Sequence, residues 1–399
     1  MSENILQIEG EDFEIKAYPE IDQTKLSDDV INEKYNKGEI RIVTEQARYP
    51  LDSIPVMLDS GKYDRNPEYQ RRKRWDDSRK SKLIESIIMN VPIPPIFLYE
   101  VEYNSYEVMD GLQRLTAIDD FYKDKFILSD LQYWKELNGK KYSTLPDQVK
   151  KGIDRRYLSS IILLQETAKT KEEAEFLKQI VFERLNSGGE LLTAQETRNA
   201  LYNGKFNQFC IRLAKNESFR KMWHMPLESE GEHILLKNIP YSKMEDVELV
   251  LRFFAYRHLD KLKGGTVENF LDEYLKQGNN FTPKTLGQLE YLFNETIDLL
   301  YSIFGESAFY LPSLKQNNKT PSKNIYDPIM QAFAKSVLRN EKQKLLDRSA
   351  LVKQSLYQNI EELFSKDGRN KYLFDGKYTS RNEIYPRIQY FDAIIAKFL

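Results

Sequence analysis

Residues 95–122 read PIFLYEVEYNSYEVMDGLQRLTAIDDFY, and this stretch decides the fold. Two short apolar runs, Pro95–Val101 and Tyr106–Met109, flank a polar turn, which is typical of two neighbouring strands. The residues that follow carry apolar side chains at helical spacing, namely Leu115, Ile118 and Tyr122. The sequence therefore predicts strand, turn, strand and helix, with Asp110 at the end of the second strand.

Elements outside this stretch extend the same pattern. Asp76-Asp77-Ser78 can cap a helix that Pro92 ends, and Ile40–Val43 and Ile161–Leu164 predict further strands. From about Lys171 the apolar periodicity is helical. Amphipathic helices are predicted at 172–185, 244–259, 266–277, 284–304, 325–340, 342–365 and 381–398. We predict an α+β fold, with a small mixed sheet and packed helices followed by a mainly α-helical C-terminal domain.

Composition narrows the class of protein. The 399 residues include 59 Lys and Arg against 61 Asp and Glu, so a nucleic-acid partner would need a local basic patch. One cysteine, Cys210, and three histidines provide neither an internal disulfide nor a Cys/His zinc site. The acidic start does not resemble a secretion signal, and no apolar stretch approaches the roughly 20 residues of a membrane helix. We expect a cytoplasmic protein without a membrane partner.

The strand-to-helix junction at Asp110-Gly111-Leu112-Gln113-Arg114 carries side chains suited to phosphate chemistry. A helix N-terminus offers unpaired N–H groups, and Gly111 allows close approach of a ligand. Arg114 can bind phosphate oxygens, Asp110 can hold Mg²⁺ or orient a water, and Gln113 can position that water. In the alternative interpretation Asp110 caps the helix, Gly111 is a turn residue and Arg114 pairs at the surface with Asp119 or Glu107.

Two further segments are candidate parts of a site. The basic run Arg71-Arg72-Lys73-Arg74, flanked by Tyr69 and Trp75, can contact phosphates and stack on a base, or is a solvated loop balanced by Asp76 and Asp77. At Asn186-Ser187-Gly188-Gly189 a helix end delivers polar side chains and flexible backbone, or simply caps the helix. Downstream, Glu196 and Arg198-Asn199 are further candidates, or form a capping box plus a surface pair, an interpretation that suits Glu196 best.

These segments together resemble a known family, the N-terminal region of GmrSD-type restriction enzymes, a ParB/sulfiredoxin-like domain defined by a DGQQR motif. The matching blocks are Tyr69-Gln70-Arg71 with Trp75, 83–87 leading to 92–96, 108–116, 182–189 with Leu192 and 196–200, and 248–253. The resemblance implies nucleotide binding, and in several members NTP hydrolysis coupled to control of a nuclease. Composition and periodicity predict a polar leader at 1–50, a mixed α/β domain at 51–168 and a helical domain at 169–399, and the resemblance implies that the second of these binds nucleotide.

The chain departs from the family pattern in two places. Leu112 replaces the first Gln of DGQQR, so that side chain is expected to pack inward instead of hydrogen bonding. An HNH nuclease domain needs a histidine general base, and His258 is the last histidine of this sequence. We therefore expect the regulatory half without the HNH domain, acting with a separate nuclease or effector protein.

Three functions remain in competition. The first is an NTPase with Mg²⁺, in which Asp110, Gln113 and Arg114 are catalytic and Asp110 is the metal ligand. Its nucleotide-binding residues are Gly111, Tyr69, Gln70, Arg71, Arg74, Trp75, Asn186 and Ser187. The second is a non-hydrolysing, nucleotide-gated adaptor that binds DNA through Arg71, Arg72, Lys73 and Arg74. The third is a nuclease that nicks DNA.

Overall fold

The computed structural model describes residues 8–15, 27–37, 42–64, 75–164, 166, 170–186, 192–310, 320–364, 373 and 380–399. The chain divides into two compact units. The sheet unit is Asp22–Thr193, and the helical unit combines Met1–Ile21 with Ala194–Leu399.

The sheet unit contains a mixed sheet with the strand order β1-β5-β3-β4-β2. Its strands are β1 (Thr44–Pro50), β2 (Tyr63–Asp64), β3 (Ile96–Glu102), β4 (Ser105–Asp110) and β5 (Tyr157–Leu163). The pairs β1–β5 and β3–β4 are antiparallel, whereas β3–β5 and β2–β4 are parallel. Leu98 lies opposite Val108 on one side and Ile162 on the other, so one face of the sheet presents a continuous apolar surface.

Helices cover that apolar face. The helices of this unit are α1 (Asp28–Lys37), α2 (Ile54–Asp59), α3 (Asp77–Ile88), α4 (Leu112–Tyr122), α5 (Asp147–Asp154) and α6 (Lys171–Asn186). Ile84 and Ile87 of α3 and Leu115 and Ile118 of α4 join one buried cluster with the strands. Burial of each such side chain contributes about 1.5–3 kcal/mol, so the packing of α3 and α4 holds the end of β4 in place.

The helical unit is built around aromatic side chains. Its helices are α7 (Ala194–Leu201), α8 (Lys205–Leu213), α9 (Glu217–Met222), α10 (Glu232–Lys237), α11 (Ile239–Ser242), α12 (Glu245–Ala255), α13 (Val267–Gly278), α14 (Pro283–Phe304), α15 (Lys323–Leu338), α16 (Lys342–Asp347), α17 (Ser349–Phe364) and α18 (Arg381–Ile395). Phe206, Phe254 and Phe293 are fully buried in its core and contact one another or shared neighbours. Thr266 and Thr282 cap α13 and α14 with side-chain hydrogen bonds to backbone N–H groups.

Residues 8–15 belong to the helical unit, although they precede the sheet in the sequence. Phe13 is 1% exposed and packs edge-on against Phe270 and Tyr274. Glu11 is buried beside it, and its carboxylate lies 2.7 Å from Arg257 Nη1. Residues 8–15 therefore contribute to the core of this unit.

The predicted α+β fold is confirmed, including the mixed sheet and the mainly helical C-terminal region. The strand predicted at Ile40–Val43 was misplaced: residues 42 and 43 are not in a strand, and 40–41 lie outside the described residues. Pairing of β1 with β5 sets the actual position, Thr44–Pro50. The helix predicted at 342–365 is divided at Arg348, whose φ of −111° and ψ of 20° are not helical.

The domain ranges 1–50, 51–168 and 169–399 stay predictions. None of the helices that the structure describes combines the length and the hydropathy of a membrane span.

Candidate functional site

The candidate site begins at Gly111, which joins β4 to α4. Its backbone adopts φ 96° and ψ 6°, in the left-handed region that favours glycine. A Cβ atom at this position would lie 2.4 Å from Ile96 Cγ2, so the core also excludes a side chain here. The turn directs Asp110 out of the sheet and starts α4 beside it.

Leu112 is 8% exposed and belongs to the buried cluster of the sheet unit. The expectation that it packs inward is confirmed. Leu112 therefore anchors the first turn of α4 instead of offering a hydrogen bond to a ligand.

Asp110 and Arg114 meet at the surface of this junction. Arg114 Nη2 donates to Asp110 Oδ2 at 2.6 Å, and Nη1 donates to the carbonyl oxygen of Pro94 at 2.7 Å. The Arg114 side chain is only 12% exposed, whereas that of Asp110 is 54% exposed. The guanidinium thus holds one carboxylate oxygen and leaves the other side of Asp110 open to solvent.

The partners expected for Arg114 in the surface-pair interpretation are engaged elsewhere. Glu107 accepts from Lys178 of α6 at 2.6 Å, and Asp119 lies 2.8 Å from Lys123. Arg114 bonds Asp110 instead, a contact that helical spacing does not indicate because Asp110 ends a strand. The Pro94 carbonyl is a second partner that the sequence did not reveal.

Gln113 links this junction to the chain that precedes α3. Its side-chain oxygen accepts the backbone N–H of Trp75 at 3.0 Å. The Arg79 guanidinium lies 5.0 Å from the centre of the Trp75 ring, within the range of a cation–π contact. The structure therefore brings Trp75, Gln113, Asp110 and Arg114 into one neighbourhood, and among the described residues the amide nitrogen of Gln113 has no partner.

Several predicted site residues lie outside the described residues. They are Tyr69, Gln70, Arg71, Arg72, Lys73 and Arg74, together with Ser187; Asn186 ends α6, and its side chain is likewise not described. Their assignments stay predictions. Trp75, the first described residue after the basic run, bonds Gln113 through its backbone N–H.

Asp110 has the chemistry of a magnesium ligand. Mg²⁺ in phosphoryl-transfer sites is held by one or two carboxylates together with water and phosphate oxygens. Asp110 offers one open carboxylate oxygen, since Arg114 occupies the other. Among the residues that the structure describes, no group of three or more His, Cys, Asp or Glu side chains is placed to hold a metal.

The family blocks at 196–200 and 248–253 contribute buried ion pairs to the helical unit. Arg198 of α7 is 2% exposed, and its Nε donates to Asp272 at 2.6 Å. Its Nη1 lies 3.4 Å from Glu248 of α12, which also lies 3.2 Å from Lys323. The surface-pair alternative for Arg198 is thus wrong, because these carboxylates enclose the side chain in a buried network.

Replacing Gly111 with a residue that has a side chain should lower the stability of the protein. We expect Gly111→Ala to lower the free energy of unfolding by about 2–4 kcal/mol, since it combines an unfavourable φ with overpacking against Ile96. Gly61→Ala is the matched control, because Gly61 has φ 74° but nothing within 4 Å of an added Cβ. We expect that control to cost about 1 kcal/mol. Equal losses in urea unfolding would show that the contact with Ile96 is unimportant.

Comparisons with known proteins add one finding. Residues 54–203 match the family described as GmrSD restriction endonuclease, N-terminal domain. The matched range contains the whole β3–β4–α4 segment and the Asp110–Arg114 pair. No curated protein and no solved structure was found to match the chain.

Proposed function

The chain carries a region of the GmrSD N-terminal domain family at residues 54–203, and from this premise we propose that it binds and hydrolyses NTP as a regulatory protein. We place this activity in a GmrSD-like restriction or phage-defence system. A separate nuclease or effector protein is the proposed partner, since the family name refers to restriction endonucleases.

The observation that carries the proposal is the half-open carboxylate of Asp110. One of its oxygens is fixed by Arg114 at 2.6 Å, while the side chain as a whole is 54% exposed. A surface carboxylate whose rotamer is held by a nearly buried guanidinium loses little further freedom when it binds an ion or a water. Such preorganisation is what phosphoryl-transfer sites require.

The residues around Asp110 have distinct proposed roles. Arg114 is the positioning residue that orients Asp110, because both of its terminal nitrogens already have partners. Gln113 offers its amide N–H₂ to a phosphate or to the attacking water, since its side-chain oxygen is engaged by Trp75. The first N–H groups of α4 lie at the N-terminal end of the helix, next to Asp110 in the chain. Mg²⁺ bound with the nucleotide would neutralise phosphate charge. Trp75 and the basic run supply base stacking and further phosphate contacts.

Phosphate release from each of the four NTPs, measured with Mg²⁺, tests the proposal. We expect Asp110→Asn to reduce turnover at least 100-fold, because the amide retains a hydrogen bond to Arg114 but cannot ligate the metal as a carboxylate. Asp147→Asn is the control, since Asp147 is an exposed carboxylate in the first turn of α5. Absence of turnover with every NTP, or full activity of Asp110→Asn, would refute the NTPase.

A nucleotide-gated DNA adaptor is the second candidate, because the basic run 71–74 directly precedes Trp75, whose backbone N–H bonds Gln113 of the junction. It predicts nucleotide binding without turnover and duplex binding that weakens steeply with salt. Substitution of Arg71, Arg72, Lys73 and Arg74 by Gln would then abolish that binding. Incubation with supercoiled plasmid and metal tests the third candidate, a nicking nuclease.

A further inference from the structure

A loop of the sheet unit presents two aromatic side chains to solvent. This loop, residues 127–141, lies between α4 and α5 and is defined here as the 127–141 loop. Tyr133 is 67% exposed, Trp134 is 39% exposed, and Ile127, in the same loop, is 47% exposed. Large apolar surfaces grouped in this way mark interaction sites more often than scattered single residues do.

The loop is held firmly although it contains little regular secondary structure. Leu128, Leu131 and Leu137 are buried in the core of the sheet unit. Glu85 of α3, itself 3% exposed, accepts three successive backbone N–H groups, those of Gln132, Tyr133 and Trp134, at 3.2, 2.7 and 2.8 Å. The two exposed rings therefore project from a fixed backbone.

The pKa of Glu85 is lowered, as expected for a carboxylate that accepts three backbone N–H groups. Burial by itself raises the pKa of the carboxyl, but the three backbone N–H donors outweigh burial and lower the pKa below its ordinary value. The carboxylate thus stays charged at neutral pH, where charge-assisted hydrogen bonds are strongest. Because the backbone is already ordered, a ligand that binds this loop would cost little conformational entropy.

The loop and the helix beneath it carry four lysines. Lys135, Lys140 and Lys141 are in the loop, and Lys82 of α3 is near Glu85 beneath it. None of these four lysines forms a salt bridge with any residue in the described part of the chain. Three carboxylates, Asp130 and Glu136 of the loop and Glu85 beneath it, accompany these four lysines, so the local charge is 4 − 3, or +1, in a chain of net charge −2.

We propose that the 127–141 loop binds single-stranded nucleic acid. Tyr133 and Trp134 offer faces on which unpaired bases stack, and the free lysines neutralise the backbone phosphates. The excess of lysines favours a polyanion over a neutral protein surface, and exposed rings favour unpaired bases over a duplex whose bases are already stacked. This site is separate from Asp110 and does not rest on NTP hydrolysis.

Fluorescence anisotropy with the full chain tests the site. The probe is a labelled oligothymidylate longer than the ~4–16 nucleotides that one such groove covers, compared with a duplex of equal length. We expect the double substitution Tyr133→Ala with Trp134→Ala to weaken binding of the single strand at least tenfold, which is about 1.4 kcal/mol. The control removes two other exposed tyrosines, Tyr35 and Tyr103, which are 85% and 81% exposed.

The salt dependence of the affinity tests the role of the lysines independently of the rings. Replacing Lys135, Lys140 and Lys141 by Gln should reduce the slope of log affinity against log salt by about 2, since each phosphate contact in a single strand contributes about 0.7. Absence of binding by the unaltered protein overturns the proposal. It is equally overturned if the aromatic double variant binds as the control does, or if the loop proves to bind a protein partner and no oligonucleotide. NTP turnover measured on the same variants should be unchanged.

Discussion

Arg198→Ala should destabilise the helical unit by about 3–5 kcal/mol, because it removes a buried guanidinium and leaves Asp272 without its salt-bridge partner. Arg198 is 2% exposed and contacts both Asp272 and Glu248. Its Nη2 also lies within 3.4 Å of the Glu268 carbonyl, so the guanidinium joins α7, α12 and α13. The loss is measurable as a shift of the urea midpoint in far-UV circular dichroism.

Arg212→Ala provides the control for this substitution. Arg212 lies in the same unit and also pairs with a carboxylate, that of Glu290, but its side chain is 58% exposed. Exposed pairs contribute about 0–1 kcal/mol, so a small shift is expected. If both substitutions cost the same, burial of the Arg198 network adds nothing to stability.

Local patterns sufficed to predict the β3–β4–α4 segment. Two short apolar runs around a polar turn gave the hairpin, and apolar spacing gave the helix after Gly111. The longer amphipathic stretches of the C-terminal region were equally clear, because each buries one face against its neighbours. Short helices such as α9 and α10 were not predicted, since six residues carry too little periodicity.

The features that could not be predicted from the sequence depend on contacts between residues far apart in the chain. The acidic segment 8–15 contains one aromatic residue, Phe13, and nothing local indicates that residues 258–285 bury it. Arg198 appeared to be a surface residue for the same reason, because its main partner lies 74 positions away. At the candidate site, the junction was predicted from sequence, whereas the bond between Arg114 and Asp110 depends on the turn that Gly111 makes.

Glu11→Gln should produce a comparably large loss, about 3–5 kcal/mol at neutral pH. The Glu11 carboxylate is 1% exposed, lies 2.7 Å from Arg257 and 2.9 Å from His258, and accepts the Tyr274 hydroxyl. The amide removes the charge that compensates buried Arg257 while keeping the shape of the side chain. Glu9→Gln is the matched control two residues away, since Glu9 and its partner Lys284 are 71% and 67% exposed.

The loss should depend on pH in a defined direction. Burial raises the pKa of Glu11, but Arg257, His258 and Tyr274 together outweigh burial and lower the pKa below its ordinary value of 4.5. A carboxyl with a lowered pKa in the folded state stabilises the protein fully above the unfolded pKa and loses this contribution as the pH falls through the folded pKa. Urea unfolding at a series of pH values should therefore show wild type and Glu11→Gln far apart at pH 7 and converging below 4.5. A difference that stays constant through the acid range would mean that charge on Glu11 does not hold residues 8–15 in the core.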